Sequence, residues 1–326
     1  GKIKFMDYSL WEQFPNLENK LKKTQKIMIN QINIDNSKFK KGIDDLINGN
    51  GKMIRAALLL LFSEYGPNNN DLIFEKAAAS IEIIHLASLV HDDVIDESDL
   101  RRAAKTLNKK FGQHEAIYLG DYLFTRYFKL LIEYAPDKNN LNFNIELIQS
   151  ILDGELHQSL SKDNLKRSET DYFKAINGKT SALFINSAAE GAILGGAYET
   201  TVKLAEQIGS KLGDAFQIRD DLLDFNPTYK TGKPKLEDVT EGIYTLPIIY
   251  ALRTSYKEEL LKILKKDQLD SADLQKIQII IETSGGLKQA QQKLEKTLKE
   301  CKHLIDKLPD GISKNTLNMI IEKLFK

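Results

Sequence analysis

The chain is poor in cysteine and proline and has no surplus of either charge, and each shortage removes a class of protein. One cysteine in 326 residues, Cys301, can form neither an internal disulfide nor a thiolate metal cluster. The 46 Lys and Arg are matched by 46 Asp and Glu, so the basic excess that binds a nucleic-acid backbone is missing and no nucleic acid is expected as a partner. No apolar run approaches the roughly 20 residues that cross a bilayer, and the opening GKIKFMDYSLWEQF lacks the apolar stretch of a signal peptide. The expectation is a cytoplasmic protein with at most peripheral membrane contact. Disorder is excluded as well, because 42% hydrophobic residues are ample for a buried core.

Seven prolines, at positions 15, 67, 136, 227, 234, 247 and 309, leave long stretches free of them. Helices need such stretches, since an interior proline costs about 3 kcal/mol. Within them apolar residues recur three and four apart, as in Ile81, Ile84 and Ala87, or Leu183, Phe184, Ser187, Ala188 and Gly191. Sustained period-two alternation is absent, so the pattern predicts an all-α chain. Expected helices cover 9–32, 38–48, 52–65, 71–97, 112–134, 142–161, 169–196, 200–225, 245–265, 270–283, 285–307 and 313–325. The breaks GPNNN, APDKNN, NPTYKTGKPK and LPDG are too short to be linkers, and residues 1–326 read as a single large helical domain.

Two acidic strings interrupt this apolar helical pattern. The stretch from Ala79 to Val90 is apolar on nearly every side and then meets HDDVID; GDAFQIRDDLLDF repeats the design. Asp92 and Asp96 stand four apart, as do Asp220 and Asp224, so each pair shares a helix face, with Asp93 and Asp221 beside them. Stacked carboxylates repel unless a cation neutralises them. A hard divalent ion such as Mg²⁺ fits, because it takes oxygen ligands and is commonly held by one or two carboxylates plus substrate phosphates. One DDxxD string alone also fits a charged helix end. Two copies at helix C-termini, where the macrodipole disfavours carboxylates, favour metal ions bridging to a diphosphate.

The residues around the strings carry a resemblance. Glu82, His85, Ser88, Leu89, HDDVID, Arg101-Arg102, GDYLF at 120–124, KTSALF at 179–184, FQIRDDLLDF at 216–225 and TLP at 245–247 resemble, in order and spacing, the trans-type polyprenyl diphosphate synthases. The likeness runs from about Gly49 to Ala251 and is nearest the long-chain branch that includes the catalytic subunit of heptaprenyl diphosphate synthase. It implies the isoprenoid synthase fold, mostly antiparallel helices around a central apolar cavity. It also implies head-to-tail addition of isopentenyl diphosphate to an allylic diphosphate, farnesyl or geranylgeranyl, with release of pyrophosphate.

By that resemblance Asp92, Asp96 and Asp220 are direct ligands of several Mg²⁺ ions, and Asp93, Asp221 and Asp224 complete the acidic surface. Arg101, Lys179 and Lys233 hold the allylic diphosphate, and Thr180 and Gln217 hydrogen-bond the allylic substrate near the reacting carbon. Lys52, Arg55, His85 and Arg102 hold isopentenyl diphosphate without metal, in keeping with the two-pronged grip of guanidinium on phosphate. Taken singly, Lys52 and Arg55 also fit a solvated helix edge, Arg101-Arg102 a basic helix end and His85 a core histidine. His91, His114 and His157 read as structural. Product length is expected to depend on Ala87 and Ser88, both small, then on Ile84 and Ile81, and on Phe124, Tyr127 and Phe128. The implied product is of medium or long chain, with a shorter geranylgeranyl or farnesyl product as the alternative. A homodimer is expected, or a heteromer with a small regulatory subunit without which the chain is inactive.

The chain departs from the family's pattern in several places. Asn50-Gly51 replaces a double glycine, Met53 an arginine, Ala103 and Leu236 glycines, Ile243 a lysine and Tyr127 an alanine. Two rivals differ in kind. A terpene cyclase shares the fold but mixes Asn, Ser and Glu in its second metal site, unlike DDLLD, and a scaffold subunit lacks the paired strings.

Overall fold

The computed structural model describes residues 7–49, 51–226 and 236–326. Among the described residues the chain is all-α apart from one two-residue hairpin. The chain divides into two compact units, Gly1–Glu146 with Leu183–Gly209 and Ile305–Lys326, and Leu147–Ala182 with Ser210–Leu304.

The first unit is built on α1 (Pro15–Asn30), α2 (Ser37–Asn48), α3 (Ile54–Phe62), α4 (Asp71–Ile95), α5 (Leu107–Phe111) and α6 (Gln113–Tyr134). It also takes the start of α7 (Lys138–Leu160), most of α9 (Ala182–Gly195) and α16 (Ile312–Phe325). Pro15 starts α1 where its missing N–H has no helical partner to lose, so the expected 9–32 helix becomes a short 3₁₀ turn followed by α1. Asn70 caps α4 by accepting from Ile73 N. Helix α4 is buried from Ala77 through Ile84 and again at Leu86, Ala87, Val90 and Asp93, with α1, α3 and α6 packed against it. This encirclement is what its nearly uniform apolar sequence requires.

The second unit contains α8 (Glu169–Ile176), the end of α10 (Glu199–Asp224), α11 (Glu237–Thr240), α12 (Leu246–Ala251), α13 (Lys257–Leu264), α14 (Ser271–Thr283) and most of α15 (Gly286–Asp306). Reciprocal capping boxes start α8 (Ser168 with Asp171) and α14 (Asp270 with Asp273). One apolar cluster joins Tyr172 and Ile176 of α8 to Ile218, Leu246 and Ile249.

Two long helices expected from the sequence are interrupted. The 245–265 helix breaks where the Thr254 hydroxyl donates back to the Ala251 carbonyl at 2.6 Å, a local bond that competes with the helical ladder. The 169–196 helix passes through one π turn at Asn177–Ser181, an insertion typical of functional positions. No helix among the described residues is long and apolar enough to cross a membrane.

Candidate active site

Helix α4 delivers the first acidic string at its C-terminal end. Asp92 is half-buried in the last turn, and Asp96 is the exposed cap residue, its N–H bonded to the Asp92 carbonyl at 2.8 Å. Asp93 points the other way, is buried, and accepts from Arg101 Nε at 2.9 Å and Nη2 at 2.7 Å. This two-pronged bond overcomes the burial that works against the cation and, with Asp92 and Asp96 beyond, holds Arg101 above its ordinary pKa.

The arginine is delivered by the hairpin β1 (Leu100–Arg101) and β2 (Ala104–Lys105). Leu100 pairs with Lys105 and Arg101 with Ala104, so Arg102 and Ala103 form a two-residue turn. Both have positive φ, 51° and 64°, the requirement of a type I′ turn. The glycine expected in place of Ala103 is thus a turn glycine, and the sequence hid the hairpin because neither residue is Asn or Gly. Thr106 Oγ1 and Asn108 Nδ2 anchor the loop by donating to the Ser98 carbonyl at 2.7 and 2.9 Å.

A cationic group surrounds His85. Arg55 Nη1 donates to His85 Nε2 at 3.2 Å and its guanidinium lies 4.7 Å from the Phe184 ring centre. Burial, then the charges of Arg55, Arg102 and Arg101, keeps His85 well below its ordinary pKa, so the ring is a neutral acceptor. Burial also lowers Arg55 to about 10, with Glu82 opposing and Arg102 adding to the fall. Arg102 is lowered by burial and by Arg101. Arg101, held by Asp93, is the one arginine of the three raised rather than lowered. Arg102 Nη1 reaches the Gly49 carbonyl at 3.1 Å, and a Cβ on Gly51 would stand 2.4 Å from that nitrogen. Lys52 is exposed, and its carbonyl accepts from Trp11 Nε1 at 2.7 Å. Sequence reasoning missed Trp11, whose bond crosses 41 residues.

In the second unit the π turn presents Lys179 and Thr180. It crosses α7 at backbone distance, since a Cβ on Gly178 would lie 2.5 Å from the Ser150 carbonyl oxygen and 2.6 Å from the Gly154 Cα. Lys179 Nζ lies 3.4 Å from Glu155. Thr180 Oγ1 donates to Gln217 Oε1 at 2.7 Å, Gln217 Nε2 donates to Asp221 Oδ1 at 2.8 Å, and the Tyr172 hydroxyl donates to Asp221 Oδ2. Burial, then Asp238 and Asp220, pushes the Asp221 carboxyl well up, against the pull of those two bonds. Asp220 is exposed, and Asp224 Oδ1 accepts from Glu237 N at 3.2 Å, tying α10 to α11. Leu236, another expected glycine position, takes the left-handed conformation at φ 57°. Lys233 lies outside the described residues.

Among the described residues no three His, Cys, Asp or Glu side chains form a ready-made metal site. An oxygen pair such as Asp92 with Asp96 still suits Mg²⁺, which takes most remaining ligands from water and substrate phosphate. The chain-length candidates separate by position. Ala87, Ile84 and Tyr127 are fully buried and Ser88 is half-buried. Phe124 stacks on His91, centres 5.6 Å apart, while Phe128 is exposed on α6, as are Ile117 and Ile132.

An all-α fold with two acidic strings and a nest of arginines describes a diphosphate-handling enzyme, and comparison with known proteins names its kind. The polyprenyl synthetase family matches residues 36–281, and the chain belongs to that family of prenyltransferases. It is 30% identical over 280 residues to nonaprenyl diphosphate synthase of Mycobacterium tuberculosis, covering 85% of this chain and 83% of that protein. It is 32% identical to heptaprenyl diphosphate synthase component 2 of Geobacillus stearothermophilus, covering 81% and 82%. The crystal structure of geranylgeranyl pyrophosphate synthase from Lactobacillus brevis superposes with a TM-score of 0.93 at 33% identity, covering 98% of this chain and 99% of that one.

Proposed function

We propose that residues 1–326 act as one catalytic domain that adds isopentenyl diphosphate to an allylic diphosphate, giving an all-trans polyprenyl diphosphate of medium or long chain and pyrophosphate. The observation that carries this is that one unit holds Arg55 bonded to His85, Arg101 and Arg102 on the hairpin that follows α4, and Asp92 with Asp96 at the end of α4. One unit thereby offers an anion site built of cations and another built of carboxylates, as two diphosphates handled differently would need.

Asp92, Asp96 and Asp220 would hold Mg²⁺, with Asp93, Asp221 and Asp224 behind them. Bound there, the ions would supply charge stabilisation to the departing pyrophosphate. Arg101 adds a fixed positive charge at the same end, oriented by Asp93. Lys179 brings a mobile ammonium for the allylic diphosphate, and Thr180 and Gln217 are held by each other and by Asp221 to hydrogen-bond the allylic group. Lys233 is proposed for the same diphosphate. Arg55 and Arg102, with Lys52 and His85, orient isopentenyl diphosphate, and His85 can accept but not donate at Nε2. The buried apolar wall of α4, Ala87 and Ile84 foremost, keeps water from a carbocation.

The exposed apolar residues Ile117, Phe128 and Ile132 on α6 support a homodimer. A second reading, a catalytic component that needs a small partner, draws on the name of the relative that is component 2 of its enzyme. The test is to incubate the purified chain with Mg²⁺, farnesyl diphosphate and isopentenyl diphosphate and separate products by chain length. Polyprenyl diphosphates beyond the primer are expected; no elongation would favour the partner-dependent or scaffold reading, and a cyclised hydrocarbon the cyclase.

A further inference from the structure

The interior of the first unit holds a second polar group, remote from the aspartates and arginines. Glu190 of α9 is fully buried, and Asn140 Nδ2 of α7 donates to its two oxygens at 2.9 and 3.1 Å. Asn144 Nδ2 donates to the Asn140 carbonyl at 2.9 Å, and Asn186 Nδ2 to Asn144 Oδ1 at 3.3 Å. The Tyr127 hydroxyl of α6 donates to the Asn144 carbonyl at 3.3 Å. All five side chains are buried. No Lys, Arg or His among the described residues bonds Glu190; the titratable groups that bear on it are the phenols of Tyr127 and Tyr134, both raised by burial first and by Glu190 next. Apolar residues of the same volume would stabilise the fold at least as well, so packing alone does not account for the cluster.

Its depth in the unit can be read from helix register. Helices α4 and α6 run antiparallel, because Ser80 meets Tyr134 through a 3.3 Å hydrogen bond while His91 stacks on Phe124. Seven residues along each helix from the first pair, Ala87 comes level with Tyr127. Arg55 touches both His85 and Phe184, and from there α9 follows α3, with Gly191 against Leu59 and Gly195 against Ser63. Glu190 is therefore six residues, about 9 Å, further along than Phe184, and Ser80 twelve residues, about 18 Å, from Asp92. Tyr127 thus stands level with Ala87 at the near edge of the cluster, and Glu190 lies past Ala87, Ser88 and Ile84 on the side away from the acidic string.

We propose that Glu190, Asn140 and Asn144, with Tyr127, form the floor at which the tail of the growing product stops. This rests on the elongation reading above, with the allylic diphosphate at Asp92 and its tail directed along α4. A chain end pushed into the cluster would break the carboxamide–carboxylate bonds and leave buried polar atoms without partners, which opposes addition of another isoprene unit. Tyr127 is pinned over the same place by its hydroxyl.

The floor should respond to pH. Burial pushes the Glu190 carboxyl up to about 7, so both forms coexist near neutrality. The neutral form binds the carboxamides less strongly and tolerates an apolar neighbour better, so a longer tail favours it and product length should rise as pH falls.

The experiment compares the wild type, Glu190→Gln and Tyr127→Phe at pH 6, 7 and 8 with Mg²⁺, farnesyl diphosphate and excess labelled isopentenyl diphosphate, resolving products by length. The wild type is expected to make products at least one isoprene unit longer at pH 6 than at pH 8. Glu190→Gln should give the longer distribution at every pH, and Tyr127→Phe should lengthen products at pH 8. A merely structural role would change yield and leave length alone. Elongation with both variants matching the wild type at pH 8 would overturn the floor. A wild type that transfers no isoprene unit would overturn the elongation reading, and the floor with it.

Discussion

DDVID at the end of α4 and DDLLD at the end of α10 share a pattern but relieve crowded carboxylates by different means. In the first, the middle aspartate is bound by a cation, Arg101, in a two-pronged ion pair. In the second, the middle aspartate is bound by neutral donors, Tyr172 and Gln217, and burial pushes its carboxyl up. In both, the middle carboxyl is buried and bonded to protein partners, while the first is half-buried in α4 and exposed in α10. The difference teaches where positive charge must come from. The α4 string brings part of its own through the hairpin, whereas in the α10 string burial opposes ionisation of Asp221.

If the outer aspartates are the metal ligands, the comparison vanishes at them. Asp92→Asn and Asp220→Asn should each lower kcat/KM by about 10²–10³, the usual cost of losing one group that stabilises developing charge. Together they should bring elongation below detection, while the melting temperature, read by circular dichroism, stays near the wild type or rises as repulsion is relieved. A single variant with near-normal turnover would remove that aspartate from the ligand set.

The middle aspartates should show the asymmetry. Arg101→Gln removes a cation from the diphosphate and strands a buried Asp93. It should cost about 10²-fold in kcat/KM, and roughly 1–3 kcal/mol of stability, less than a fully buried pair because Arg101 is 29% exposed. Tyr172→Phe removes one neutral donor and should cost about 1–2 kcal/mol with activity within about tenfold. Urea titration and steady-state kinetics on both variants test the ordering. Equal losses would mean the two strings are held alike.

What the sequence disclosed and what it hid follow the same division. The aspartate strings and the helices carrying them were legible because helical period and repeated spacing are local. Arg101 was legible as a cation, but its delivery by a hairpin was not, since Arg102 and Ala103 lack the Asn-Gly signal for positive φ. The π turn was hidden because Asn177–Ser181 keeps a helical pattern. Tyr172 and Glu190 were missed because their partners stand 49 and 50 residues away. A signal for Glu190 did exist: one acidic residue in the apolar run SAAEGAIL, with Asn140 and Asn144 one turn apart to meet it.

The smallest effects separate the two left-handed residues that adjoin the strings, Ala103 and Leu236, both departures from an expected glycine. A side chain at positive φ costs roughly 1 kcal/mol that glycine does not incur, while glycine adds a comparable freedom to the unfolded chain. Ala103 is exposed and its methyl packs on nothing needed. Ala103→Gly should therefore change stability by no more than about 0.5 kcal/mol, in the stabilising direction, and lower kcat/KM slightly as Arg101 becomes less firmly held. Leu236 is 3% exposed and packs with Phe225, Val239 and Ile248. Leu236→Gly relieves the same backbone strain but empties a core site, a loss of about 2–5 kcal/mol, so its net effect should be destabilising by at least about 1 kcal/mol. Opposite signs in paired thermal melts would show that the hairpin turn beside the first string tolerates a side chain that packing does not need, whereas the turn beside the second is held by one that packing does.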